Sequence, residues 1–408
     1  MERIRGKIRE EVSEEHYGFI EGKGTRNAIF VLRMLAERTI EMQKDLFLCF
    51  IDYEKAFDRV RHEDLIQMLE QLNADGKDIR LITNLYWNQK AAVKIENRMT
   101  EWVKIERGVR QGCVMSPDLF ALYGEKIIQE VKEVEGVSVG GRNINNVRYA
   151  DDTVLIADSE EKLQILLQQV NEASEARGMR ININKTKTLV VSKKPNNPVC
   201  NVNVNGSNIK QENNFVYLGS TVTSDGRCEK EIEKRISMAK GTFQKMRNIL
   251  TNRYITIRTR VRTVKMYVWS VTLYGCETWT ISKKLERKIE AAEMWFWRRM
   301  LKVPWTARMR NDEVLDRVDA RREIMRTIRR RQLRFLGHVL RRDGLENVSM
   351  TGKIDGRRAR GRQRQKFMDG ILAELGNGWT SGRVIQLARD RKGWQTMIAN
   401  VIDDTALR

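Results

Sequence analysis

The sequence predicts an α+β fold: a mainly antiparallel sheet with helices on one face, followed by an all-α and strongly basic C-terminal region. Three observations carry this. Between residues 27 and 192, short apolar runs alternate with segments of helical apolar periodicity. Beyond residue 229 only helical stripes remain, such as Ile232, Ile236, Ala239, Phe243 and Met246. Residues 298–366 hold 22 Lys/Arg against 8 Asp/Glu, so this segment supplies +14 of the net charge of +21.

Taken in order, Ile29, Leu32, Leu35, Ala36 and Ile40 give a helix over 27–42. "LFLCFI" (46–51) follows as a fully apolar central strand, with Asp52 at its end. Leu65, Leu69 and Leu72 mark a helix near 62–73. In "GCVMSPDLF", Ser116 reads as an N-cap and Pro117 as the first helical residue. "NVRYADDTVLIA" (146–157) predicts a hairpin with Asp151-Asp152 at or near its turn. Ser159 then caps a helix whose apolar face is Leu163, Leu166, Leu167, Val170 and Ala173, and Gly178 stops it. "MRININ" and "TLVVS" read as two further strands, and "KKPNNP" (193–198) as the clearest boundary. "NFVYLGSTVTSDGR" predicts a hairpin turning at Asp225-Gly226. Helices are expected near 256–269, 283–302 and 320–341, and "GRRARGRQRQK" (356–366) as a basic, mobile linker.

A chain of 408 residues can hold two or three domains with ample core. Concentrated positive charge favours a polyanion as partner, and nucleic acid is the commonest one. Five well-separated cysteines and three histidines, with no CxxC pair, argue against a zinc module or a disulfide framework and fit a reducing compartment. The charged N-terminus is no signal peptide, and "LFLCFI" is too short to span a bilayer. The expectation is a soluble intracellular protein, not secreted and without a membrane partner.

Asp151 and Asp152 interrupt an apolar, β-branched run, where unpaired carboxylates are costly. Asp52 also ends a buried strand. Carboxylates converging at strand ends can hold hard divalent ions such as Mg²⁺, and two such ions serve phosphoryl transfer. Spacing alone leaves open a polar turn plus an ordinary surface aspartate.

"FIDYEKAFDRV", "GVRQGCVMSPDLF", "YADDTVLIADS", "GMRININKTKT" and "FVYLGSTVTSDG" stand in the order of the palm motifs of reverse transcriptases, and their wording resembles LINE-type (non-LTR) retrotransposon enzymes. The resemblance covers roughly residues 17–227, and "LRFLGHVLRRD" is similar to the C-terminal region of such elements. It implies an RNA-directed DNA polymerase using two Mg²⁺ ions, with Mn²⁺ as the alternative, on an RNA template, a DNA primer and deoxynucleoside triphosphates. It implies that Asp52, Asp151 and Asp152 bind metal and that Lys185 assists the pyrophosphate leaving group. Phe57 matches the residue that would clash with a 2′-hydroxyl. Arg110, Gln111, Gly112 and Tyr149 join the substrate-binding set, and Tyr217, Leu218 and Gly219 the primer contacts. The implied organisation is residual fingers (1–45), palm (46–195), a primer-grip-like hairpin (196–228), a helical thumb (229–303) and a basic helical region (304–408). Trp295, Trp297, Trp305, Phe335 and Trp379, interleaved with Arg298, Arg299, Arg329, Arg330 and Arg331, suit stacking and phosphate contact with RNA or single strands, though most of the tryptophans read better as helix core. Action on chromosomes would make the setting nuclear as well as cytoplasmic.

The pattern departs from the family at its start. Only 16 residues precede Tyr17, no Arg-Pro dipeptide occurs, and neither an N-terminal endonuclease nor a Cys/His cluster is present. The expectation is a chain lacking most of the fingers. A catalytically impaired RNA- or DNA-binding remnant is the competing reading, and Phe57 disfavours an RNA-synthesising enzyme.

Overall fold

The computed structural model describes residues 2–358, 360–361 and 363–404. The chain divides into two compact units. The first comprises residues 1–218 with 348–359, and the second residues 219–347 with 360–408.

The first unit is built on a four-stranded antiparallel sheet of β1 (Leu46–Ile51), β2 (Asn146–Tyr149), β3 (Asp152–Ala157) and β4 (Lys187–Val191), in spatial order β4-β1-β3-β2. Every residue of β1 is buried, as its unbroken apolar run requires of a central strand. Phe47, Cys49 and Ile51 pack with Leu163, Leu166, Leu167 and Val170 of the helix Glu160–Ala176. Leu46, Leu48 and Phe50, on the opposite face, are buried as well, and Phe50 stacks on Phe215 at 4.2 Å between ring centroids. The sheet is therefore covered on both faces rather than one. The helix Thr25–Glu41 lies against β1 and β2 outside the first cluster. A further cluster joins the helices Glu2–Glu11, His62–Gln71, Gly76–Tyr86 and Ser116–Gln129.

Several local expectations give way. "MRININ" is no strand: it makes one isolated bridge, Ile181 to Tyr53, and then turns at Asn182. Ser116 is the first residue of its helix, buried, with Met115 in the cap position. The two-residue turn after Tyr217 is Leu218-Gly219, both at positive φ, whereas Asp225-Gly226 leads the chain into a helix. The division between units falls at this turn, not at 193–198. The basic linker is tethered. Arg358 pairs with Glu41 at 2.9 Å within the first unit, and Arg364 donates to the carbonyls of Asp225 and Gly226 within the second.

The second unit is helical. The helices Glu229–Lys245, Lys283–Met300 and Ile324–Leu340 enclose a core containing Phe243, Trp269, Trp279, Trp297 and Ile328. The expected helix over 256–269 is broken into Ile257–Thr263, a wide π-turn at Val264–Val268, and Trp269–Thr272. Trp297 and Phe335 are core residues, Trp295 meets Phe243 and Phe296 edge-on, and Trp379 lies under Arg383. The side chain of Trp305 is outside the described set. No described helix is long and apolar enough to cross a membrane, and all five cysteines are free.

Candidate active site

Strand register brings the acids together. β1 pairs with β3 through Phe47–Ala157 to Ile51–Thr153, so the last ladder pair is followed by Asp52 on one strand and preceded by Asp152 on the other. β2 pairs with β3 through Tyr149–Asp152, which leaves Ala150 and Asp151 as a two-residue turn, with Ala150 at φ 56°. The β1–β3 ladder thus ends next to two acids a hundred residues apart in sequence, and the charge of Asp52 is felt at Asp152. Burial and the charge of Asp52 hold the Asp151 carboxyl above the usual carboxylate range. Asp152 is pushed up to about 6 by the protein packed around its carboxyl, then by Asp151 and Asp52. Its side chain stays open to solvent on one side.

Lys185 answers part of this negative charge, its Nζ lying 3.7 Å from Asp52 Oδ2. The turn that carries it is docked on Asp52 itself, because the Asn182 amide donates to the Asp52 carbonyl at 2.7 Å and the Lys185 amide to the Asn182 carbonyl. Mutual repulsion is felt at both Asp151 and Asp152. Among the described residues, however, no three His, Cys, Asp or Glu side chains already stand close enough together to hold an ion.

The acidic turn is held from two sides by residues whose part in this could not be read from the sequence. The Glu15–Tyr17 segment runs along the β2 edge: the Tyr17 amide donates to the Arg148 carbonyl at 2.8 Å, and the Arg148 amide to the Glu15 carbonyl at 2.9 Å. Gly18 then lies backbone to backbone on the turn, and a Cβ there would sit 2.5 Å from the Ala150 nitrogen. Tyr217 supports the other side, its hydroxyl donating to the Asp152 carbonyl at 3.4 Å. Tyr217 is buried, so its side chain offers no surface to a primer; Leu218 is half-buried and Gly219 exposed. In the second unit, Arg235 donates to the Gly219 carbonyl and pairs with buried Glu231 at 2.7 Å.

The remaining candidates stand in different local settings. Phe57 is half-buried and stacked on Phe120 at 4.4 Å and 9°. Arg110 donates to the Leu85 carbonyl and the Gln89 side chain, at 3.3 and 3.4 Å. Gln111 and Gly112 are exposed, and Gly112, at φ 83°, has open space where a side chain would be. Tyr149 is half-buried near Phe19. A cleft of about 570 Å³ beside Asp52 is lined by Tyr53, Lys55, Arg59, Arg107 and Lys185, with Glu54, Asp58 and Asn182.

Carboxylates thus gather at one end of an antiparallel sheet, near a cleft that carries four cations and two further carboxylates. Known proteins give the family: a profile described as reverse transcriptase (RNA-dependent DNA polymerase) matches residues 1–222, and the chain belongs to that family. A putative uncharacterized transposon-derived protein of Caenorhabditis elegans is 28% identical over 273 residues, covering 64% of this chain and 97% of that protein. The Pol polyprotein of a type-1 retrotransposable element R2 from Nasonia vitripennis is 28% identical over 165 residues, which are 40% of this chain and 16% of the polyprotein. These relatives agree with the LINE-type (non-LTR) resemblance of the motifs. Telomerase from Candida albicans, solved with a TWJ fragment of telomeric RNA, overlaps at a TM-score of 0.46 and 13% identity, over 78% of this chain and 57% of that one.

Proposed function

We propose that this chain carries the polymerising core of a non-LTR retrotransposon enzyme: an RNA-directed DNA polymerase that extends a primer 3′-hydroxyl with deoxynucleotides and releases pyrophosphate. The observation that supports the reading is the β1–β3 register, whose last pair, Ile51–Thr153, adjoins Asp52 and Asp152, with Asp151 next in the turn. In this reading residues 46–195 act as the palm, 1–45 as residual fingers, 196–228 as the primer-grip-like segment, 229–303 as the thumb and 304–408 as a basic extension. The setting proposed is intracellular, nucleus or cytoplasm.

Asp52, Asp151 and Asp152 would hold Mg²⁺, or Mn²⁺, which when bound supplies activation of the attacking hydroxyl and charge neutralisation at the phosphate. Lys185 offsets part of the charge around Asp52 and stands ready for the departing pyrophosphate. Phe57, stacked on Phe120, would be the residue that a 2′-hydroxyl clashes with. Gly112 lets backbone approach the substrate closely. Leu218 and Gly219 remain the primer-facing candidates, and Tyr217 holds the acidic turn instead. The RNA template and DNA primer are proposed as partners on the family's described activity together with the net charge of +21.

A binding-only remnant is the second reading, favoured by the lack of a three-donor cluster among the described residues. Primer extension on poly(rA)/oligo(dT) with Mg²⁺ separates the two. Wild-type incorporation that falls by several orders of magnitude in Asp151→Ala supports the polymerase. No incorporation by the wild type, with salt-sensitive RNA binding retained, selects the remnant.

A further inference from the structure

No residue from 87 to 107 is buried. The stretch folds back on itself as one antiparallel arm. Lys90 pairs with Lys104, Ala91 with Val103, Lys94 with Met99 and Ile95 with Arg98, and the Ile105 amide donates to the Gln89 carbonyl at the root. A two-stranded ribbon with no packed face is marginal in water. This one nevertheless displays Trp87 and Trp102, 56% and 63% exposed, together with open Val93, Ile95, Met99 and Val103. Apolar surface of that extent marks a contact site.

The charges on the arm choose the partner. Lys90 and Lys104 stand directly opposite each other, where like charges repel, and Glu106 reaches Lys104 only at 3.9 Å. An apolar protein surface covering the tryptophans would strip water from these lysines without pairing them. A single nucleic-acid strand meets both needs, stacking its bases on the indoles and setting its phosphates against the ammonium groups. A duplex keeps its bases stacked inside and answers only the lysines. The Arg110 guanidinium, bonded to Leu85 and Gln89, ties the root of the arm to the loop carrying Gln111 and Gly112.

We propose that the arm of residues 87–107 is a docking surface for single-stranded RNA, with bases stacked on Trp87 and Trp102 and phosphates held by Lys90 and Lys104. The proposal rests on the reading of the chain as an RNA-directed polymerase and gives the unpaired part of the template a place to lie.

The test is fluorescence anisotropy on the full chain with labelled oligo(rA) and with an oligo(rA)/oligo(dT) hybrid. Leaving out divalent cation reads binding apart from catalysis. Trp87→Ala/Trp102→Ala is expected to weaken binding to the single strand roughly tenfold or more, and to the hybrid far less. Lys90→Ala/Lys104→Ala should flatten the salt dependence of single-strand binding by about 1.4 in log–log slope, at about 0.7 per lost phosphate contact. Trp87→Phe/Trp102→Phe keeps two aromatic faces and should retain most of the affinity, which separates stacking from a folding defect. Alanine variants that bind oligo(rA) as tightly as wild type overturn the docking surface, while primer extension still decides the polymerase reading. A wild-type dimer that Trp87→Ala/Trp102→Ala converts to monomer overturns it too, because the occupant is then a second copy of the chain.

Discussion

Gly18 has no room for a side chain. The three atoms nearest a Cβ there are all main-chain: Ala150 nitrogen at 2.5 Å, Tyr149 carbonyl carbon at 3.1 Å and Ala150 Cα at 3.3 Å. None can swing aside as a flexible side chain would, so the strain of a methyl group passes into the turn holding Asp151. Overpacking of this kind typically costs about 1–3 kcal/mol. Gly18→Ala is therefore expected to lower the melting temperature by a few degrees and to reduce nucleotide incorporation far more than RNA affinity. Thermal melts, primer extension and anisotropy on the same preparation check this. Equal losses of incorporation and binding would mean that the glycine serves folding alone.

Two buried acids fix how elements meet, and each makes a measurable prediction. Glu125, on the helix Ser116–Gln129, pairs with Arg148 of β2 at 2.7 Å, and both side chains are almost wholly buried. The same carboxylate accepts from the Ser13 amide and hydroxyl, so the N-terminal segment, helix and sheet edge share one charge pair. Glu125→Gln would leave the Arg148 guanidinium buried without a counter-charge, and removing one partner of such a pair destabilises by about 3–5 kcal/mol. Urea unfolding at neutral pH measures it. Glu293, on the helix Lys283–Met300, accepts from the amides of Glu323 and Ile324 where the helix Ile324–Leu340 begins. Burial, against those two amides and with help from the charge of Glu323, raises its carboxyl to about 7. A folded-state value above the ordinary 4.5 means that its contribution to stability is complete below 4.5 and is lost as pH rises through about 7. Glu293→Gln offers an acceptor to the same amides without ionising. Its melting temperature should be flatter than wild type between pH 5 and 8, and parallel curves would rule out this acid as the source of the slope. Neither Glu125 nor Glu293 was singled out from the sequence, because their partners come from distant segments.

Across the whole chain, local pattern and long-range packing can be told apart. β1 spans the six apolar residues read as a strand, and the helix after Ser159 runs from Glu160 with the Ser159 hydroxyl accepting from the Lys162 amide, since both depend on side-chain periodicity and short-range capping. The β2–β3 hairpin was legible for the same reason, down to Asp151 in its turn. "MRININ" and the Asp225-Gly226 turn were misread because Asn and Gly serve several backbone conformations, and the contact that selects one lies elsewhere in the fold. Trp87 and Trp102 passed unnoticed in the sequence, and only coordinates show them exposed. By itself the sequence determined the family, the strand and hairpin bearing the acids, and the basic helical C-terminal region, since these follow from motif order, periodicity and composition. Tertiary structure alone decided that Asp52 comes close enough to Asp152 to be felt there, that Gly18 and Tyr217 brace the acidic turn, and that the tryptophans of the 87–107 arm are left open to solvent. Each of these depends on which distant backbones lie side by side, and neither periodicity nor composition carries that information.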